Sequence, residues 1–154
     1  MTEQPSPSVP SLVSLLLCDQ IIDDKLSNKK SAIGLFNMIV VPQVPTAIHQ
    51  LAIMASLTEI TGRVELELRL MRDDDNQVLF SSKGHVEAPD PLAVVDLVFA
   101  MQGLRIPAAG QYAFEILCRG EILGRRRFRM IVRELPGPPP PGGAGPVPPG
   151  NMAN

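Results

Sequence analysis

Tryptophan is absent from the chain, tyrosine occurs once, and histidine and cysteine occur twice each in 154 residues. Each scarcity removes a class of explanation. The cysteines, Cys18 and Cys118, stand far apart and neither belongs to a C-x-x-C pair, so a zinc knuckle or dithiol redox motif has no support. A disulfide between them would need an oxidising compartment, and two buried free thiols in a reducing one is the simpler expectation. His85 and Glu87 spell H-x-E, but the P-C-x-x-C that accompanies it in zinc deaminases does not follow. P-loop, G-x-S-x-G, G-x-G-x-x-G and H-E-x-x-H patterns are missing as well. With no nucleophile–base pair and no ligand set for a metal or cofactor, the expectation is a protein that is not an enzyme.

Long apolar runs are also lacking. None approaches the roughly 18 to 20 residues needed to cross a bilayer, so no membrane span is expected. There is no basic excess either: the formal net charge is −2, which argues against a nucleic-acid partner. The opening MTEQPSPSVP has no Lys or Arg, and Leu17 rather than a small residue precedes Cys18. SLLLCDQIIDD (residues 14–24) therefore reads as a strand, not as the end of a secretory or lipoprotein leader, and a cytoplasmic protein is expected.

What the chain does have is patterning. Apolar residues make up 45%, enough for one domain's core, which at 4% aromatics must be built from Leu, Ile, Val and Met. Composition divides the chain into a Pro/Ser-rich segment expected to be flexible (1–10), a patterned domain (11–135) and a tail, PGPPPPGGAGPVPPGNMAN (136–154). The tail has almost nothing to bury and is expected to be a flexible polyproline-type tether, although PGPPPP would also suit an aromatic groove on a partner.

The domain reads at period 2. In GRVELELRLMRDDDNQVLF, Val64, Leu66, Leu68 and Leu70 share one face, while Arg63, Glu65, Glu67 and Arg69 share the other. RDDDNQ is then a hairpin connection, with Val78 and Phe80 resuming the apolar face. In GQYAFEILCRGEILGRRRFRMIV, a three-residue loop with Gly120 left-handed sets Cys118 opposite Ile122, Tyr112 opposite Phe128 and Glu115 opposite Arg125. Tyr112, Phe114, Ile116 and Cys118 then share a buried face with Ile122, Phe128, Met130 and Val132. A two-residue loop would slip the register and put Phe128 opposite Glu115.

Further strands are predicted at Leu12–Ile22, Ala32–Val41, Gln50–Thr58 and Ala93–Gln102, with a short one near Lys83–Glu87. Residues 91–103 also carry a helix signature in Asp90, Pro91 and Gly103, but Val94, Val95, Val98 and Phe99 favour the strand. In the first strand Leu16, Cys18, Gln20 and Ile22 face one way and Leu15, Leu17 and Asp19 the other. Asp19 is expected to accept hydrogen bonds from the following SNKKS turn. The whole predicts an all-β fold, a two-sheet antiparallel sandwich, immunoglobulin-like or C2-like, of about seven or eight strands.

Two charge features are candidates for function. In RRRFR and its continuation, Arg125, Arg127, Arg129 and Arg133 point outward together. The stripe would suit phosphate, an acidic partner or an anionic surface, and it would equally guard an edge strand against aggregation. Asp23 and Asp24, and Asp73, Asp74 and Asp75 with Asn76, are acidic loops of the kind that hold calcium, though solvated turns explain them too. The functional expectation is a non-enzymatic interaction or scaffold module whose partner is protein, its own copies included. The alternative is a small-ligand or calcium-binding sandwich using the Asp loops.

LLCDQIIDDKLSNKKSAIGLFNMIVVPQVP contains a first strand ending in Cys18-Asp19, a lysine turn at Lys29 and Lys30, Gly34-Leu35-Phe36 and then Pro45. IPAAGQYAFEILCRGEILG supplies Pro107, Gly110, Tyr112 and Gly120. In these motifs, over roughly residues 11–133, the chain resembles a small uncharacterised bacterial family of single-domain β-sandwich proteins. The resemblance implies a sandwich of bacterial origin and brings no activity or site with it.

Overall fold

Alternation becomes strand wherever the sequence shows it. The computed structural model describes residues 8–134, and within them there are nine strands and no helix. They are β1 (Ser11–Asp24), β2 (Lys29–Leu35), β3 (Met38–Val41), β4 (Thr46–Thr58), β5 (Val64–Arg72), β6 (Gln77–Val86), β7 (Val95–Ile106), β8 (Gly110–Cys118) and β9 (Glu121–Val132). A four-stranded sheet runs β2-β1-β4-β7 and a five-stranded sheet runs β3-β9-β8-β5-β6. The flexible tail expected at 136–154, and most of the segment 1–10, lie outside the described residues.

One parity of each strand fills the space between the sheets. Leu51, Ile53, Ala55 and Leu57 of β4 meet Val64, Leu66, Leu68 and Leu70 of β5 and Tyr112, Phe114, Ile116 and Cys118 of β8, all buried. Phe128 stacks on both Tyr112 and Phe114, with ring centres 5.6 Å apart in each case. The Tyr112 hydroxyl donates to the Ala108 carbonyl at 2.6 Å, four residues upstream. This is the tyrosine corner of immunoglobulin-like sandwiches, and β1-β4-β7 facing β9-β8-β5 matches their A-B-E and G-F-C strands. The matching D strand, which would lie beside β7, is not among the described residues, and β6 extends the opposite sheet instead.

Where the fold departs from expectation, the causes are local. The strand expected over Ala32–Val41 is two strands in different sheets. β2 pairs with β1, and β3 crosses over to lie parallel to β9. Gly34, at φ +71°, starts the corner, and the Asp19 side chain sits where a Cβ on Gly34 would go. The Phe36 amide then donates to Leu17 at 3.2 Å, and the Asn37 carbonyl accepts from Arg129 at 2.9 Å. This crossing raises the count to nine and places one parallel pair in an otherwise antiparallel fold. Residues expected as a short strand at Lys83–Glu87 are the end of a continuous β6. In the 91–103 segment Asp90 caps a turn, accepting from the amide of Leu92 at 2.8 Å, and β7 follows as a strand.

The β8–β9 loop has two residues, not three. Arg119 and Gly120 both have positive φ, the type I′ pattern, and Cys118 faces Glu121. A bulge between Ile116 and Leu117 absorbs the resulting slip, so Glu115 faces Arg125 and Tyr112 faces Phe128 after all. The bulge turns Ile122 out of the core to 43% exposure, and Val132, also expected inside, is 43% exposed. A second bulge, at Leu70/Met71, keeps Phe80 opposite Leu70 but leaves Val78 exposed, while Leu79 packs on the core.

Candidate functional site

The residues that do not face the core make two outer surfaces of opposite chemistry. On the five-stranded sheet the centre is Glu115 of β8, 1% exposed. Arg125 of β9 donates to its Oε2 from Nε at 3.1 Å and Nη2 at 2.8 Å, and Arg69 of β5 donates to Oε1 from Nη2 at 3.3 Å. The hydrogen bonds and charge of Glu115 raise the pKa of the Arg125 guanidinium. Around this pivot Ser81 donates to Glu67, His85 stands 3.6 Å from Glu65, and Arg127 pairs with Asp73 at 3.5 Å. Arg125, Arg127, Arg129 and Arg133 are all exposed along β9 and its end, but Arg125 and Arg127 already have intramolecular counterions. Arg129 and Arg133 have no ion pair among the described residues.

The acidic loops are similarly engaged. Asp74 and Asp75 face Arg72 at 4.0 and 3.9 Å, and Asp75 accepts from the Gln77 amide. In the first hairpin it is Asp24, not Asp19, that accepts from the turn, through the Leu26 amide at 2.9 Å and the Ser27 hydroxyl at 2.7 Å. These bonds hold the Asp24 carboxyl below the usual carboxylate range, and the Lys25 ammonium does the same for Asp23. Asp19 lies against Gly34 inside the β1–β2 pair and is not within that turn. Among the described residues no group of three His, Cys, Asp or Glu side chains is placed to hold a metal ion, and no helix is long and apolar enough to cross a membrane.

The outer face of the four-stranded sheet carries little of this charge across its central rows. The register aligns Leu35, Cys18, Ala52 and Ala100 in one row across β2, β1, β4 and β7. Leu16, Met54 and Val98 form the next row. Ser14, Ser56 and Asp96 close one end, where the Ser56 hydroxyl donates to Asp96 at 2.5 Å, and Gln20, Gln50 and Gln102 close the other. Asp96 is the one charged side chain in these rows. Leu35 is 58% exposed, Ile33 46%, Ile22 42% and Val98 41%, while Cys18 and Ala52 are covered by their neighbours on this face and stand outside the core cluster. Cys18 and Cys118 are both free thiols, one on each sheet.

Sequence reading missed this face, though a signal was present. A half-buried strand alternates, but β1, β4 and β7 contain unbroken apolar runs at Leu15–Cys18, Leu51–Ala55 and Leu97–Met101. Apolar residues on both parities mark strands covered on both faces.

The chain belongs to a family of unknown function (DUF6941), whose model matches residues 13–131. No curated protein matches it. Among solved structures it is similar, at 10% identity and a TM-score of 0.48, to part of the Pseudomonas fluorescens alkylpurine DNA glycosylase AlkC bound to DNA containing an abasic site analog. That likeness covers 80% of this chain, which spans 30% of the glycosylase chain.

Proposed function

We propose that this DUF6941 member is a non-enzymatic, cytoplasmic interaction module of bacterial origin that self-associates through the outer face of its four-stranded sheet. The observation that carries the reading is the pair of uncharged rows, Leu35–Cys18–Ala52–Ala100 and Leu16–Met54–Val98, lying open between two polar ends. Strands about 4.8 Å apart make the longer row roughly 20 Å across, and two rows about 6.6 Å apart make the uncharged area about 13 Å deep. That is just under the size of the largest apolar patches of monomeric proteins, which are often functional. Two such faces stack in the manner of packed sheets without bringing like charges together. Two free cysteines support a reducing compartment, and the resemblance in the Cys18-Asp19 and Gly110-Gln111-Tyr112 motifs supports the bacterial origin.

The patch is smaller than the roughly 800 Å² per partner of a standard stable interface, so weak, reversible association is expected. Sedimentation equilibrium of the full chain should show a monomer–dimer equilibrium that Leu35→Lys with Met54→Lys abolishes. A native chain that stays monomeric at submillimolar concentration would remove the proposal. The arginine stripe is a second reading, favoured by Arg129 and Arg133, and is tested by loss of an acidic partner in the Arg129→Ser, Arg133→Ser variant. The small-ligand or calcium alternative has less support, because Asp73, Asp74 and Asp75 already face arginines.

A further inference from the structure

Sheets end in strands whose outward backbone groups invite another strand, and proteins guard such edges with charge, shortness or irregularity. Three edges here are guarded. β2 carries Lys29, Lys30 and the left-handed Gly34, β3 is four residues long, and β6 carries Lys83 beside exposed Ser81 and Ser82. The part of β9 that β3 does not cover bears Arg125, Arg126 and Arg127. β7 is the exception. It is 12 residues long, pairs among the described residues with β4 alone, and ahead of the left-handed Gly103 and Arg105 at its end has, from Val95 to Gln102, one charge, Asp96, which the Ser56 hydroxyl holds.

The space beside β7 is shaped for a strand. On the core-facing parity of β6, Ser82 stands opposite Leu68 and Gly84 opposite Leu66, yet both Ser82 and Gly84 are exposed. The five-stranded sheet therefore extends past the last strand of the sheet it faces. Beneath this overhang Leu66, Gly84, His85, Val86, Leu97, Val98 and Phe99 line a cavity of 140 Å³, room for about one large apolar side chain. Leu97 and Phe99 remain half-buried against it.

We infer that β7 is a strand-addition site, taking an extended, uncharged segment of a partner protein with apolar residues at alternate positions. Backbone pairing along β7 supplies the affinity, and one large apolar side chain entering the cavity sets the register. A second copy presenting its own β7 does not fit, because the overhanging β6 of each copy would occupy the layer claimed by the other. The inference shares the premise that the chain is an interaction module but uses the edge of the sheet and not its outer face.

The test uses the full chain and a synthetic end-capped peptide of alternating leucine and threonine with a lysine at each end. Titration calorimetry should show saturable binding, with amide shift changes confined to β6 and β7. Methylating the peptide's alternate backbone nitrogens on the pairing edge should weaken binding by about tenfold or more. Gly84→Leu should abolish binding without loss of fold, since a Cβ there meets nothing within 4 Å and the new side chain fills the cavity. Leu35→Lys with Met54→Lys should leave peptide binding intact, which separates this site from the outer face. Equal binding of methylated and scrambled peptides, no binding, or full binding by Gly84→Leu overturns the inference. So does a dimer that Gly84→Leu dissociates, since a second copy would then occupy the edge.

Discussion

The two outer faces of the sandwich keep buried groups from water in different ways. On the five-stranded sheet, Glu115 is covered by the arginines that neutralise it, so the face is finished by its own ion pairs. On the four-stranded sheet, Cys18 and Ala52 are covered by apolar neighbours that are themselves half in solvent, and on the proposed reading a partner covers those neighbours. The same fold thus has one surface whose buried charge is satisfied within the chain and one whose apolar side chains stay half in solvent. Charge count alone points to the arginines as an interaction site, and the ion pairs of Arg125 and Arg127 within the chain weigh against that reading.

The contrast predicts unequal costs of mutation, and the largest belongs to the self-contained face. Removing the Glu115 carboxylate in Glu115→Ala leaves Arg69 and Arg125 facing each other without a counterion. Breaking a buried ion pair costs about 3–5 kcal/mol, and the partial exposure of both arginines puts the expected loss at about 3 kcal/mol. Urea denaturation should show it as a lower midpoint at unchanged slope. A loss under about 1 kcal/mol would mean that Glu115 is not the pivot of this face. On the other sheet the matching polar contact is smaller: Ser56→Ala removes the bond to Asp96 and should cost about 1 kcal/mol by the same measurement.

How much of this contrast the sequence disclosed depends on the kind of information required. Inward parity was legible in β5 because Val64, Leu66, Leu68 and Leu70 alternate with Glu65, Glu67 and Arg69, and in β8 because Tyr112, Phe114 and Ile116 share the parity opposite Gln111 and Glu115. The Glu115–Arg125 pair was legible too, since cross-strand register follows from hairpin arithmetic once Tyr112 and Phe128 are matched. The error at the Arg119-Gly120 turn was hidden by a compensating bulge, because turn length and bulge trade against each other while leaving the distal register unchanged. The crossing of β3 was not legible, since Gly34 and Asn37 mark a corner without saying to which sheet the chain turns. The outer apolar face required knowing that β1, β4 and β7 are neighbours, which no local pattern states. Arg69 as the second partner of Glu115 was missed for the same reason, because β5 and β8 are adjacent only in the fold.

Substitutions on the outer apolar face sharpen the comparison in the opposite direction. Leu35→Lys at 58% exposure removes little buried area, so the monomer should change by no more than about 0.5 kcal/mol. Its effect should appear in association instead, as a loss of dimer that the Glu115→Ala chain, where still folded, does not show. A variant that is destabilised and still dimeric would reverse the assignment of roles to the two faces.

The smallest effect concerns Cys18, beneath the outer face, and it tests how dry that face is. Burial pushes the Cys18 thiol up, with the nearby Asp19 charge adding to the shift, and its sulfur lies 3.5 Å from the Gln20 carbonyl and 3.6 Å from the Ala52 carbonyl. A thiol whose pKa is higher folded than unfolded holds its proton more tightly in the native state. Its contribution is therefore complete below the unfolded value, about 8.5, and is lost as pH rises from there through the folded value. Burial raises Cys118 in the core and the Tyr112 hydroxyl as well, so all three groups act in the same direction. The native chain should lose thermal stability above about pH 8.5, and Cys18→Ala should flatten part of that slope. An unchanged slope in Cys18→Ala would mean that water reaches the thiol, and the apolar rows would then be an ordinary wet sheet surface with no need of a covering partner.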